Sequence, residues 1–293
     1  MTPPSVNDND RAVSLRPLSR LLLSALAFGC GVSPHAVPSS PSESRALPPA
    51  VPLAPAPVSV SSQLPDGAQA AVAAQDRSAD DRALDEGRKP AELLAFFGIA
   101  RDMRVAELSA GGGYTTELLA RVVGSNGKVY AQNSRVILER FAEAPWSARL
   151  AKPVMSNVIR VDRELDEPLP PEARELDAII MVLFYHDSVW MKTDRDRMNR
   201  AVFAALKPGG VYGIVDHAGR DGTGVSEAET LHRIEEKVVR EEVQKAGFVL
   251  DGEATFLRNP ADSRDWNASP RKAAERRGTS DRFVLRFKKP AKG

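Results

Sequence analysis

Three consecutive glycines, Gly111, Gly112 and Gly113, stand between an apolar run that ends at Leu108 and a helical pattern that begins at Tyr114. Glycine at such a junction lets the backbone approach a bound group, and the unpaired amides of a helix start favour an anion. Two ligand classes suit the turn: a dinucleotide pyrophosphate, or a smaller nucleoside that carries a carboxylate. No Gly-Lys-Ser/Thr follows, which excludes a Walker loop, and Tyr114-Thr115 directly after the third glycine breaks the G-x-G-x-x-G spacing of a dinucleotide turn. Just before the glycines, Glu107 places an acid at the end of the apolar run.

A second set of reactive residues lies further on. His186-Asp187 and Asp216-His217 each follow an apolar run, and His232 sits in a pattern of alternating charges. A histidine near its ordinary pKa suits the removal of a proton from a hydroxyl or amine, and a neighbouring carboxylate holds its tautomer. His217 is therefore expected to act as base or to position an acceptor, with Asp216 in support and Tyr185 and His186 lining the pocket. Two histidines and two carboxylates could also ligate a divalent ion. No metal is assigned, because the spacing does not demand one and adjacent residues at a strand end point in different directions.

The elements that must position these residues alternate regularly. Met103 to Ala110 reads as a short strand, Tyr114 to Gly124 as a helix with Leu118, Leu119, Val122 and Val123 on one face, and Lys128 to Gln132 as a second strand. Residues 135–142 then read as a helix, Val158 to Val161 as a strand, Leu176 to Phe184 as a strand buried on both faces, and residues 195–206 as a helix stopped by Lys-Pro-Gly-Gly. Gly210 to Asp216 forms a fifth strand. Ser226-x-x-Glu229 reads as a capping box that opens one long helix reaching Gly247, and two more strands close the chain around a long polar loop, Arg258 to Asp281. The expected fold is α/β: a Rossmann-like, doubly wound, seven-stranded sheet, mostly parallel with an antiparallel last strand.

AELSAGGGYTTELLA resembles motif I of the class I S-adenosylmethionine-dependent methyltransferases, and LKPGGVYGIVD resembles their fifth strand and its approach. The stretch DHAGRDGTG, with TLHRIEEKVVREEVQKAGF and FLRNPAD, is similar to a group of predicted bacterial methyltransferases without an established substrate. The resemblance implies S-adenosyl-L-methionine as cofactor, with Glu107 orienting its amino group, and Ser109, Gly111, Gly112, Gly113 and Tyr114 cradling it. It also places Asn133, or alternatively Gln132, where the family carries an acid, at the ribose hydroxyls, and Asp162 at the adenine amino group. The acceptor is expected to be a small molecule.

Composition bounds the setting. With 42% hydrophobic and 27% charged residues the chain is of ordinary globular type, and a net charge of +1 offers no basic face for nucleic acid. Before Gln75 large apolar residues are sparse and most of the prolines occur, so residues 31–75 read as a disordered tether and residues 76–293 as the domain. Residues 1–30 have a signal-peptide layout, with Arg11, Arg16 and Arg20 before an apolar run that ends at Gly29-Cys30. Cys30, the only cysteine, is expected to carry a lipid anchor at the cell envelope, a cytoplasmic location being the alternative. That cofactor is made in the cytosol. An exported, non-catalytic binding protein that retains the fold is therefore the second functional reading.

Overall fold

The structure is a computed structural model that describes residues 66 to 291. The expected signal segment, Cys30 and the tether as far as residue 65 lie outside the described residues. Seven strands form one sheet in the order β3-β2-β1-β4-β5-β7-β6, made of β1 (Arg104–Leu108), β2 (Lys128–Asn133), β3 (Val158–Asp162), β4 (Leu176–Val182), β5 (Leu206–His217), β6 (Val249–Ala254) and β7 (Arg282–Lys288). β7 runs antiparallel to both of its neighbours, and the other pairs are parallel, which is the Rossmann-like sheet read from the alternation of the sequence.

Register decides what the sheet presents at its carboxyl edge. Leu108 pairs with Gln132 and Asn133 with Asp162, so β1, β2 and β3 end side by side. His217 pairs with Arg282, which brings the end of β5 next to the start of β7. The chain reverses its winding between β1 and β4, the crevice where ligands of open α/β sheets bind.

Successive strand residues face opposite sides, so each face of the sheet builds its own core. Val105, Val129, Ala131 and Ile180 pack with α1 (Asp66–Ala73), α3 (Pro90–Phe96) and α4 (Tyr114–Val123). Ala106, Leu108, Ile179 and Met181 pack with α8 (Arg195–Ala205) and α10 (Glu236–Lys245). On α4 the stripe Leu118, Leu119, Val122 and Val123 is buried, and each such side chain contributes about 1.5–3 kcal/mol relative to exposure. The remaining helices are α2 (Ala79–Arg88), α5 (Arg135–Ile137), α6 (Glu143–Leu150), α7 (Asp187–Trp190) and α9 (Ala228–Leu231). Among the described residues no helix is long and apolar enough to cross a membrane.

Three elements depart from the sequence reading. α1 falls inside the stretch assigned to the tether: alanine favours helix, and Ala68 and Ala71 are small enough to bury against the domain. The helix expected from Arg135 passes through a π-helical stretch, Leu138–Ala142, and continues as α6. The long helix from Ser226 does not form. α9 ends at Leu231, His232 turns left-handed at φ 53°, Ile234 makes a parallel bridge to Ala218, and α10 begins anew at Glu236. Tertiary demand explains the break, because Arg233 is wholly buried in an ion pair with Asp262 that a continuous amphipathic helix would not supply.

Candidate functional site

The glycine turn is held from below by the end of β2. The Gln132 side chain accepts from Ser109 N at 2.9 Å, and Asn133 both accepts from Gly111 N at 2.8 Å and donates to Gly111 O at 3.1 Å. Both amide side chains are fully buried. Asn133 therefore fastens the turn to the sheet, where the resemblance implies a contact with ribose hydroxyls. A carboxylate in its place would have no proton to give Gly111 O.

α6 covers the other side of the turn. Gly113 takes φ +81°, and a Cβ there would collide with the buried Trp146 ring, while Gly111 at φ +56° faces open space. Arg149 donates to Gly112 O at 2.6 Å and pairs with Asp81 of α2 and Glu117 of α4, tying two helices to the turn. Tyr114 is directed away from the turn: its hydroxyl donates to Asp85 at 2.6 Å, with the Arg88 guanidinium 4.5 Å from its ring centre.

Glu107 is buried at the end of β1 and accepts a hydrogen bond from Thr116. Burial pushes its pKa up to about 7, so its charge is poorly compensated where it stands. Two hydroxyls flank the turn, Ser109 Oγ and Ser134 Oγ, each buried without a hydrogen-bond partner. Ser134 was not singled out in the sequence, where nothing distinguishes it from any serine after a strand. Asp162 is exposed and accepts from Arg160 at 2.9 Å, outside the group formed by the turn.

The five residues of the histidine set divide differently from their order in the chain. Asp216 and His217 alternate on β5, so the Asp216 carboxylate meets the other imidazole: it accepts from His186 N at 2.7 Å and lies 2.7 Å from His186 Nδ1. Its link to His217 is only to the backbone amide. Ser280 Oγ holds His217 instead, 2.7 Å from Nδ1. Tyr185 is wholly buried, with Glu242 and Asn199 at its hydroxyl. His232 has its Nδ1 3.1 Å from His186 Nε2.

Burial opposes charge on His186, yet Asp216 and Asp187 on either side raise its pKa to about 10. Burial and the neighbouring His186 drive His217 well below the ordinary histidine value, so it is neutral at neutral pH.

His217 opens onto a cavity of about 460 Å³ at the carboxyl edge of the sheet, beside Leu183, the residue that follows β4. α2 forms one wall and the polar loop before β7 another, the two meeting where Gly87 packs on Gly278. The cavity is lined by Arg88, Lys89, Arg277 and Arg282 against one acid, Glu86. Arg282 is 4% exposed and donates only to the backbone oxygens of Ser280 and Gly278. Burial, with Arg88 adding repulsion, pulls its pKa down to about 10. The long loop thus has a structural role its sequence did not announce. Arg233 grips it through Asp262 at 2.9 Å and Trp266 O at 3.1 Å.

No family model matches the chain. Among solved structures, a S-adenosylmethionine-dependent methyltransferase from Aquifex aeolicus has a TM-score of 0.47 at 18% identity, covering 72% of this chain and 100% of its own. An S-adenosylmethionine-dependent O-methyltransferase from Thermotoga maritima has a TM-score of 0.44 at 18% identity, covering 75% of this chain and 68% of its own. The glycopeptide N-methyltransferase MtfA, solved with sinefungin, has a TM-score of 0.47 at 16% identity, covering 71% and 87%. The fold assignment itself rests on the sheet order and the antiparallel β7.

Proposed function

We propose that this chain is an S-adenosylmethionine-dependent methyltransferase acting on a small acceptor that carries an acidic group. The observation that carries the reading is Glu107, a buried and poorly compensated carboxylate at the end of β1, beside a glycine turn whose Gly111 faces open space. A cationic amino group neutralises such a carboxylate, and the amides of Gly112 and the first turn of α4 are free to receive a carboxylate. The partnerless hydroxyls of Ser109 and Ser134 add polar atoms at the same place. These residues fit the amino-acid part of the cofactor, whereas Asn133 and Asp162 are engaged elsewhere.

When bound, the cofactor supplies an electrophilic methyl group. The protein's share is orientation and a proton acceptor: the cavity holds the acceptor, Arg88 and Arg282 draw its acidic group, and neutral His217 takes the proton that an attacking hydroxyl or amine releases.

Calorimetric titration of the full chain with S-adenosylmethionine tests this, beside Glu107→Ala and Gly111→Arg. Binding by the parent and loss in both variants is expected. Absence of binding by the parent overturns the enzyme reading in favour of a non-catalytic binding protein. The proposal also keeps Cys30 as a lipid anchor at the cell envelope, and Cys30→Ser then releases the protein from the membrane fraction; an unchanged distribution removes the anchor.

A further inference from the structure

We propose that His186, Asp187 and His232 form a binding site for a divalent transition-metal ion of the zinc class. His186 Nε2, His232 Nδ1 and Asp187 Oδ1 form a nearly equilateral triangle, with separations of 3.1 Å between the two histidines, 3.1 Å from His232 to Asp187 and 3.2 Å from His186 to Asp187. Ligands about 2.0–2.1 Å from a tetrahedral ion stand about 3.3 Å from one another, so the triangle opens by only a few tenths of an ångström to receive one. Two imidazoles and one carboxylate match zinc-class ions better than magnesium or calcium, which prefer all-oxygen shells.

Three independent features hold the donors in place. His186 caps α7 and Asp187 is its first residue, so both lie on one helical turn and converge instead of alternating as on a strand. His186 Nδ1 lies 2.7 Å from Asp216, and this carboxylate–imidazole contact keeps the proton on Nδ1, so that an ion displacing the Nε2 proton meets the lone pair there. His232 reaches the triangle through a left-handed backbone, a conformation costly for a residue with a Cβ and typical of functional positions. The His232 side chain is 26% exposed, which leaves a side from which water or an acceptor oxygen completes the shell. The His186 ring centre is 5.6 Å from that of His217, so the ion would sit one imidazole behind the cavity wall.

Full-length protein stripped with a chelator and titrated with zinc by calorimetry tests the site, with cobalt(II) absorption as a direct readout on the parent. One ion per chain is expected, with visible cobalt bands, and magnesium should not compete. His232→Asn keeps a side chain that tolerates the left-handed backbone and should weaken zinc at least 100-fold; Asp216→Asn should weaken it 10- to 100-fold. Zinc binding equal in parent and His232→Asn, or a cobalt spectrum indistinguishable from aqueous ion, overturns the proposal and leaves a hydrogen-bonded histidine pair.

Discussion

Asn133 and Gly111 exchange two hydrogen bonds, side chain to backbone in both directions, and this pair sets the height of the glycine turn above the sheet. Asn133→Ala leaves the half-buried amide and carbonyl of Gly111 without their protein partner, each worth about 1–2 kcal/mol. Asn133→Asp keeps the acceptor and sets a carboxylate against Gly111 O. Both variants should therefore lose stability in urea unfolding, the alanine by about 2–4 kcal/mol and the aspartate by at least as much, because it buries an uncompensated carboxylate. Placing an acid at this position should lower cofactor affinity instead of raising it, and tighter binding by Asn133→Asp would show that the side chain is free.

Neighbouring glycines should respond differently to one methyl group. Gly113→Ala meets both the left-handed backbone and the Trp146 ring, whereas Gly111→Ala meets only the backbone. Strain of about 1–2 kcal/mol is expected for Gly111→Ala, and about 3–5 kcal/mol for Gly113→Ala once overpacking is added. Comparison of urea midpoints at equal slope checks the order, and equal losses would mean that Trp146 moves aside freely.

The sheet was legible because short, nearly continuous apolar runs, a glycine turn and helices of the right length all agree locally. What was not legible depended on distant partners. Ser226 to Gly247 has every local mark of one helix, yet the buried Arg233–Asp262 pair and the Ile234 bridge break it at His232. The convergence of His186 with Asp187 follows from a single helical turn after β4 that an apolar run does not foretell. Asp216 was read as the partner of His217 from adjacency alone, where strand alternation points it to His186. Sequence pattern thus located the carboxyl edge and its reactive residues, but not which of them touch.

The side chains of Arg233 and Asp262 are both buried, and their bond fixes the loop that walls the cavity. Asp262→Ala strands a buried guanidinium and should cost about 3–5 kcal/mol. Local release of the loop should accompany the global loss. Limited proteolysis under native conditions should show new cleavage within residues 258–281, and an unchanged cleavage pattern would mean that the loop is held by other contacts.

Glu107 should make stability fall as pH rises. Its folded pKa, about 7, lies above the ordinary 4.5, so the folded form holds the proton more tightly than the unfolded chain. Below pH 4.5 both forms are protonated and the domain gains the most from this group; between 4.5 and 7 the unfolded chain ionises first and that advantage is lost, by about 3 kcal/mol in total. Glu107→Gln removes the titration and should flatten this part of the profile while leaving acid-side stability near that of the parent. A bound ammonium favours the ionised carboxylate, so cofactor affinity should strengthen as pH rises through 7, with proton release on binding. Calorimetry in buffers of different ionisation heat measures that proton directly, and an affinity independent of pH across this range would separate Glu107 from the cofactor.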